Sequence, residues 1–203
     1  EFVVTMACSG RCKHCSQGNH ISNEHIDDVK AQQAIYDICS HYNIDSLITF
    51  GGEPLLYPET VCKIHSAARK MNIPQRELIT NGYFSKDIGR IKEVANMLAQ
   101  SGVNGICLSV DAFHQETIPL EYVKEFASAV VKEEISIHTH PAWLVSADDD
   151  NPYNLKTREM LNEFSEMGIE QSSGNVIFPS GNALKYLGEY FDQDVEYDNP
   201  YRE

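Results

Sequence analysis

Basic residues are scarce: 16 Lys and Arg stand against 30 Asp and Glu in 203 residues, a formal net charge of −14. A surface of that sign repels the phosphate backbone, which argues against a nucleic-acid partner. Long hydrophobic runs are missing too. No stretch approaches the roughly 20 apolar residues that cross a bilayer, and no signal-peptide pattern opens the chain. The expectation is therefore a cytoplasmic protein without a membrane partner. Low-complexity linkers and sequence repeats are absent. Cysteine, with six residues, is too sparse for a disulfide scaffold, and a chain of this length can bury a core without one. An initiator Met is also lacking. The chain opens on Glu1 in an apolar run and stops at Glu203 in a polar stretch. It is expected to be a fragment of a longer protein, with 1–203 forming one domain.

What is present is a regular alternation. With 42% hydrophobic residues the chain has the composition of a globular protein. Strand-like runs at 2–7, 47–50, 77–80, 106–110, 135–140 and 175–179 are each followed by a helical pattern. The helices are expected over 26–41, 58–71, 87–100, 120–133 and 153–167, with a sixth opening at 182–186. Gly51-Gly52, Asn81-Gly82, Ser101-Gly102 and Gly168 punctuate them. Six β/α units in order imply a parallel sheet with right-handed crossovers. Two closures satisfy that order, a doubly wound sheet and a curled partial (β/α)6 barrel. Both place ligands at the C-terminal ends of the strands. The polar and Gly-rich clusters fall at those ends, which puts the chemistry on one side of the fold.

The six cysteines divide unevenly. Cys39, Cys62 and Cys107 are scattered within element patterns, as small buried residues are. Cys8, Cys12 and Cys15 sit together in Ala7-Cys8-Ser9-Gly10-Arg11-Cys12-Lys13-His14-Cys15, directly after the first strand. Thiolates at this spacing suit zinc or an iron–sulfur cluster. Structural zinc needs a fourth protein ligand, for which His14 and His20 are the nearby candidates. A four-iron cluster on three Cys leaves one iron open to a ligand.

The triplet resembles the signature of the radical S-adenosylmethionine (radical SAM) superfamily. The resemblance implies a partial (β/α)6 TIM-like barrel, a radical SAM core domain over 1–203. It also implies a [4Fe–4S] cluster on Cys8, Cys12 and Cys15, with the open iron chelating the methionine moiety of SAM. An aromatic residue usually precedes the third Cys; here it is His14, whose planar ring suits the adenine. Thr49-Phe50-Gly51-Gly52-Glu53-Pro54 resembles the family's GGE motif, in which Gly51 and Gly52 allow close backbone approach and Glu53 faces the ammonium group. Thr80-Asn81-Gly82 matches a further family pattern and adds Asn81 as a cofactor contact, although a turn alone explains Asn-Gly. Ser109 and Asp111, on one side of the fourth strand, are the expected ribose contacts, with helix capping an equally open role for Asp111. The segment 178–183 resembles one that lies near the adenine.

The implied reaction begins with reductive cleavage of SAM, fed by an external donor such as flavodoxin or ferredoxin. The resulting 5′-deoxyadenosyl radical abstracts hydrogen from a substrate that the sequence does not name, a peptide or protein being one candidate class. His114, His138 and His140 are candidate catalytic residues. His138 and His140 share one strand face, and no third metal ligand beside them is evident from sequence. Trp143 reads as packing. Two alternatives stay open on the residues alone: an electron-transfer iron–sulfur protein that binds no SAM, and a zinc-stapled α/β interaction domain.

Overall fold

The computed structural model describes residues 1–18 and 22–191; His20 lies outside them. Strands β1 (Phe2–Val3), β2 (Ser46–Phe50), β3 (Gln75–Thr80), β4 (Gly105–Ser109) and β5 (Ser136–His140) alternate with helices. These are α1 (Asp28–Cys39), α2 (Pro58–Lys70), α3 (Ile88–Ser101), the short α4 (Ala112–Gln115) and α5 (Leu120–Lys132). Beyond β5 come β6 (Ala142–Trp143), α6 (Pro152–Glu166), β7 (Glu170–Gln171), β8 (Asn175–Val176) and α7 (Gly181–Tyr186). Local chemistry sets the boundaries. Asp27, Asp87 and Asn151 accept hydrogen bonds from the first-turn N–H groups of α1, α3 and α6, and Gly102 closes α3 in the left-handed conformation.

The main sheet has six parallel strands in the order β1-β2-β3-β4-β5-β7. That order decides between the two closures. A doubly wound sheet reverses its strand order at a switch point and carries helices on both faces. Here the order never reverses, so right-handed crossovers place successive helices on the same side. The fold is the partial TIM-like barrel. On its outer side Leu47, Leu78, Ile106, Leu108 and Val110 are buried with Val61, Ile64, Leu98, Phe126 and Val130 from the helices. On the inner side Ile48, Phe50, Ile79, Cys107, Ser109, His138 and His140 are only partly covered.

Two strand assignments change. The apolar run 175–179 is not the sixth strand of the sheet: Asn175–Val176 pairs instead with Ala142–Trp143 in a separate two-stranded sheet. The sixth strand is Glu170–Gln171, paired with His138 and Thr139. It is a polar two-residue edge strand, so it carries no hydrophobic alternation. The first strand ends at Val3 rather than residue 7, because the chain then turns to bridge Thr5 with His25. No helix among the described residues is long and apolar enough to cross a membrane.

Candidate active site

The C-terminal ends of the strands surround a cavity of about 440 Å³, a size suited to a nucleoside-scale ligand. Cys8, Cys12 and Cys15 line one wall; Gly51, Gly52, Asn81, Ser109, Asp111, His114 and His140 line the rest with His14 and residues 176–178. The cysteine loop is fastened at several points. Gly52 and Glu53 donate their N–H groups to the Thr5 and Ala7 carbonyls at 2.8 Å each, holding the GGE turn against the chain that leads into Cys8. A Cβ on Gly52 would stand 2.2 Å from the Ala7 carbonyl oxygen, so only glycine allows that approach. On the opposite side Arg11 N–H donates to the Thr117 hydroxyl at 3.0 Å and Lys13 pairs with Glu116 at 2.9 Å. From the far end of the chain, Asn182 donates its N–H to the Cys15 carbonyl (2.9 Å) and its side-chain amide to the Cys12 carbonyl (3.2 Å).

The Cys8 sulfur sits among N–H donors. Gly10 N–H and the Asn81 amide point at Cys8 Sγ at 3.4 and 3.6 Å, contacts that stabilise a thiolate or a cluster-bound sulfur. Without a metal, burial pushes the Cys8 thiol up to about 11, and Cys12 is raised further by burial and by Asp111. Ligation would release those protons. His14 is held neutral, its pKa pushed down to about 4 by burial against the pull of Asp111. Its ring packs edge-on to His114 at 4.7 Å and tilted to Phe113 at 5.2 Å, and its buried Nδ1 has no hydrogen-bond partner among the described residues. Three cysteine sulfurs at one cavity wall, one of them facing two N–H donors, beside an orphaned ring nitrogen, fit a soft, sulfur-ligated group.

Of the two acidic residues in the motifs, Asp111 lines the cavity and Glu53 does not. Glu53 is fully buried behind the wall. One carboxylate oxygen accepts from Leu55 N–H (2.8 Å) and the Thr80 hydroxyl (2.7 Å), the other from Asn81 N–H (2.8 Å). Through these bonds Glu53 ties the GGE turn to the end of β3, and the backbone at Gly51 and Gly52 forms the wall. Asp111 caps α4 through Phe113 and His114 N–H and also accepts from His114 Nδ1 (2.7 Å) and Ala142 N–H (3.1 Å). With both oxygens engaged and its side chain 1% exposed, its capping role is the one observed. Burial opposes its ionisation, but the charges of His114 and His14 and the hydrogen bonds from His114 hold its pKa below the usual carboxylate range. His114 is raised in turn, Asp111 outweighing the effect of burial. Ser109 lines the cavity beside them.

A family model for the Radical SAM superfamily matches residues 2–144. The chain belongs to the radical SAM superfamily. Among solved structures, native anSMEcpe with bound AdoMet is similar in fold, with a TM-score of 0.66 and 18% identity over 88% of this chain and 51% of that one. The same protein with AdoMet and the Kp18Cys peptide gives 0.66 and 19% over the same shares. This radical SAM chain therefore spans about half the length of the solved structures it matches. No curated protein sequence matches it.

The structure brings together what the motifs separate by up to 170 positions. It leaves His138 outside the cavity lining and places it, with His140, next to Cys107 on β4. Cys107 was absent from the sequence-derived site. Parallel pairing of β4 with β5 in the order of the chain was the signal that could have found it.

Proposed function

We propose that this chain is the catalytic core of a radical SAM enzyme that acts on a peptide or protein substrate. Cys8, Cys12 and Cys15 would hold a [4Fe–4S] cluster, and Gly51, Gly52, Asn81, Ser109 and His14 would bind SAM. When bound, these groups supply one-electron cleavage of the sulfonium and hydrogen-atom abstraction from substrate. The protein's own part is positional. Asn81 and Gly10 N–H groups offset charge on sulfur, and the Asp111–His114 pair fixes the floor beside Cys12. The cavity walls would exclude water and position the target C–H for abstraction. The observation that carries the reading is the convergence of the three cysteines and the Gly51-Gly52 backbone on one cavity. A peptide substrate is supported by the peptide seen with anSMEcpe. A donor of the flavodoxin or ferredoxin class would supply the electron, and a reducing cytoplasm fits the free thiols.

Anaerobic reconstitution with iron and sulfide is expected to give a brown protein with about four irons per chain. With dithionite it should release 5′-deoxyadenosine from SAM. A colourless protein with zinc that is lost in Cys12→Ala would instead favour the Cys12, His14 and His114 group, whose ligand atoms lie within 4.8 Å of one another, as a zinc site. Cys12→Ala is expected to abolish cluster assembly; a full four-iron cluster in that variant contradicts the ligand assignment.

A further inference from the structure

Cys107, His138 and His140 stand on the inner face of the sheet, apart from the cysteine loop. The register sets Cys107 directly beside His138 and Ser109 beside His140, so one histidine stands opposite the cysteine and the other diagonal to it on the neighbouring strand. One ligand atom from each of the three lies within 4.8 Å of the others. We propose that these side chains form a second metal centre, for a thiophilic divalent cation of the zinc class. Its open coordination position would be reached from the cavity that His140 lines.

The donor set argues for the class of metal. One thiolate and two imidazoles suit zinc and exclude the hard cations, calcium and magnesium, which take oxygen. Three protein ligands are also the number in zinc sites that keep a fourth position for an exchangeable ligand. The backbone makes the convergence possible. Residues two apart on a strand point to the same face about 7 Å apart, and the next strand lies about 4.8 Å away. A His-x-His pair thus leaves a space that a cysteine on the adjacent strand can close. On the other side of β4 the inner face carries Ile48, Phe50 and Ile79 together with Glu77, whose charge acts on Cys107.

Both nitrogens of the His140 ring are held by hydrogen bonds to the protein. Its Nδ1 meets the Ser172 hydroxyl at 2.8 Å and its Nε2 the Asn175 side-chain amide at 2.9 Å. Ligation would replace one of these contacts and leave the other as the outer hydrogen bond that fixes tautomer and angle. The open position would take a carboxylate, carbonyl or thiolate of the substrate and so hold it against the sheet. The proposal needs no cluster, so it stands or falls separately from the radical SAM reading.

The test is metal analysis of the reconstituted, desalted protein, followed by Co2+ substitution. The expected result is about one Zn2+ per chain beyond the cluster iron. Cys107→Ser and His138→Asn should each remove that zinc and leave iron unchanged. Co2+ should give thiolate-to-metal charge-transfer absorption that disappears in Cys107→Ser. To separate this site from the cysteine loop, the same Co2+ titration is run on Cys8→Ala/Cys12→Ala/Cys15→Ala, where the absorption should persist. If that variant loses its far-UV circular dichroism, the wild-type and Cys107→Ser comparison decides. Equal zinc and cobalt binding in wild type and Cys107→Ser, or no metal beyond iron, would overturn the proposal. Loss of iron binding with Cys107-dependent zinc retained would overturn only the cluster assignment.

Discussion

Two buried carboxylates flank the cavity, and their surroundings push them in opposite directions. Asp111 ionises below its usual 3.8 and raises His114 above 6.5. The Asp111 contribution to stability is present above about 3.8 and lost as pH falls through its folded pKa; that of His114 is present below about 6.5 and lost as pH rises through its folded pKa. The pair therefore stabilises most between those values. Asp111→Ala removes the acceptor for four donors and is expected to cost about 3–5 kcal/mol in denaturant melts of the metal-free protein. That cost should shrink at either end of the window. Glu53 runs the other way, pushed up from 4.5 to about 7 by burial, although three donors favour its ion. A raised carboxyl pKa means the folded state holds the proton longer. This contribution is fully present below 4.5 and is lost as pH rises through about 7. Thermal melts of Glu53→Gln, which cannot ionise, should show a constant loss from the mismatched donor but a flatter pH profile across that range. Parallel profiles would show that Glu53 does not change protonation there.

At the level of elements, the GGE turn and the strand before the cysteine loop act as one unit. Gly52→Ala is expected to destabilise the metal-free protein by about 1–3 kcal/mol, since its Cβ meets backbone rather than a movable side chain. Iron content after reconstitution should fall with it; unchanged loading and melting temperature would show that the two segments move independently. Much of this level was legible in the sequence. Leu47-Ile48-Thr49-Phe50, Asn81-Gly82 and the helix expected over 87–100 stand within a residue or two of their expected places, because apolar periodicity and turn chemistry are local. Glu170–Gln171 was not legible: an edge strand two residues long is held by backbone pairing, which leaves no trace in side-chain pattern. Asn175–Val176 misled for the complementary reason, since its run packs as a strand in a sheet of its own. For the site, the cysteines and glycines were readable because their chemistry is rare. The inward turn of Glu53 and the meeting of Cys107 with two histidines were not, because each depends on contacts between distant units.

On the scale of the whole molecule, the sheet is curled but not closed. Its edges are β1 and β7, two residues each, and short edges offer little template for another strand. Its centre, β3 to β5, is backed by α3 and α5. Amide exchange followed by mass spectrometry should find β3, β4 and β5 most protected and β1 and β7 least. Uniform protection would mean that the arc opens as one unit. The fastening of the cysteine loop by Asn182 has a bearing on time. During synthesis Cys8, Cys12 and Cys15 leave the ribosome well before Asn182, the residue that secures the Cys12 and Cys15 carbonyls and lies 170 positions beyond Cys12. Until then the thiols lie on a loop only half pinned, open to oxidation and to the wrong metal. Correct loading is thus tied to completion of the barrel arc, and the last β/α unit works as the latch on a compartment that the first one opened.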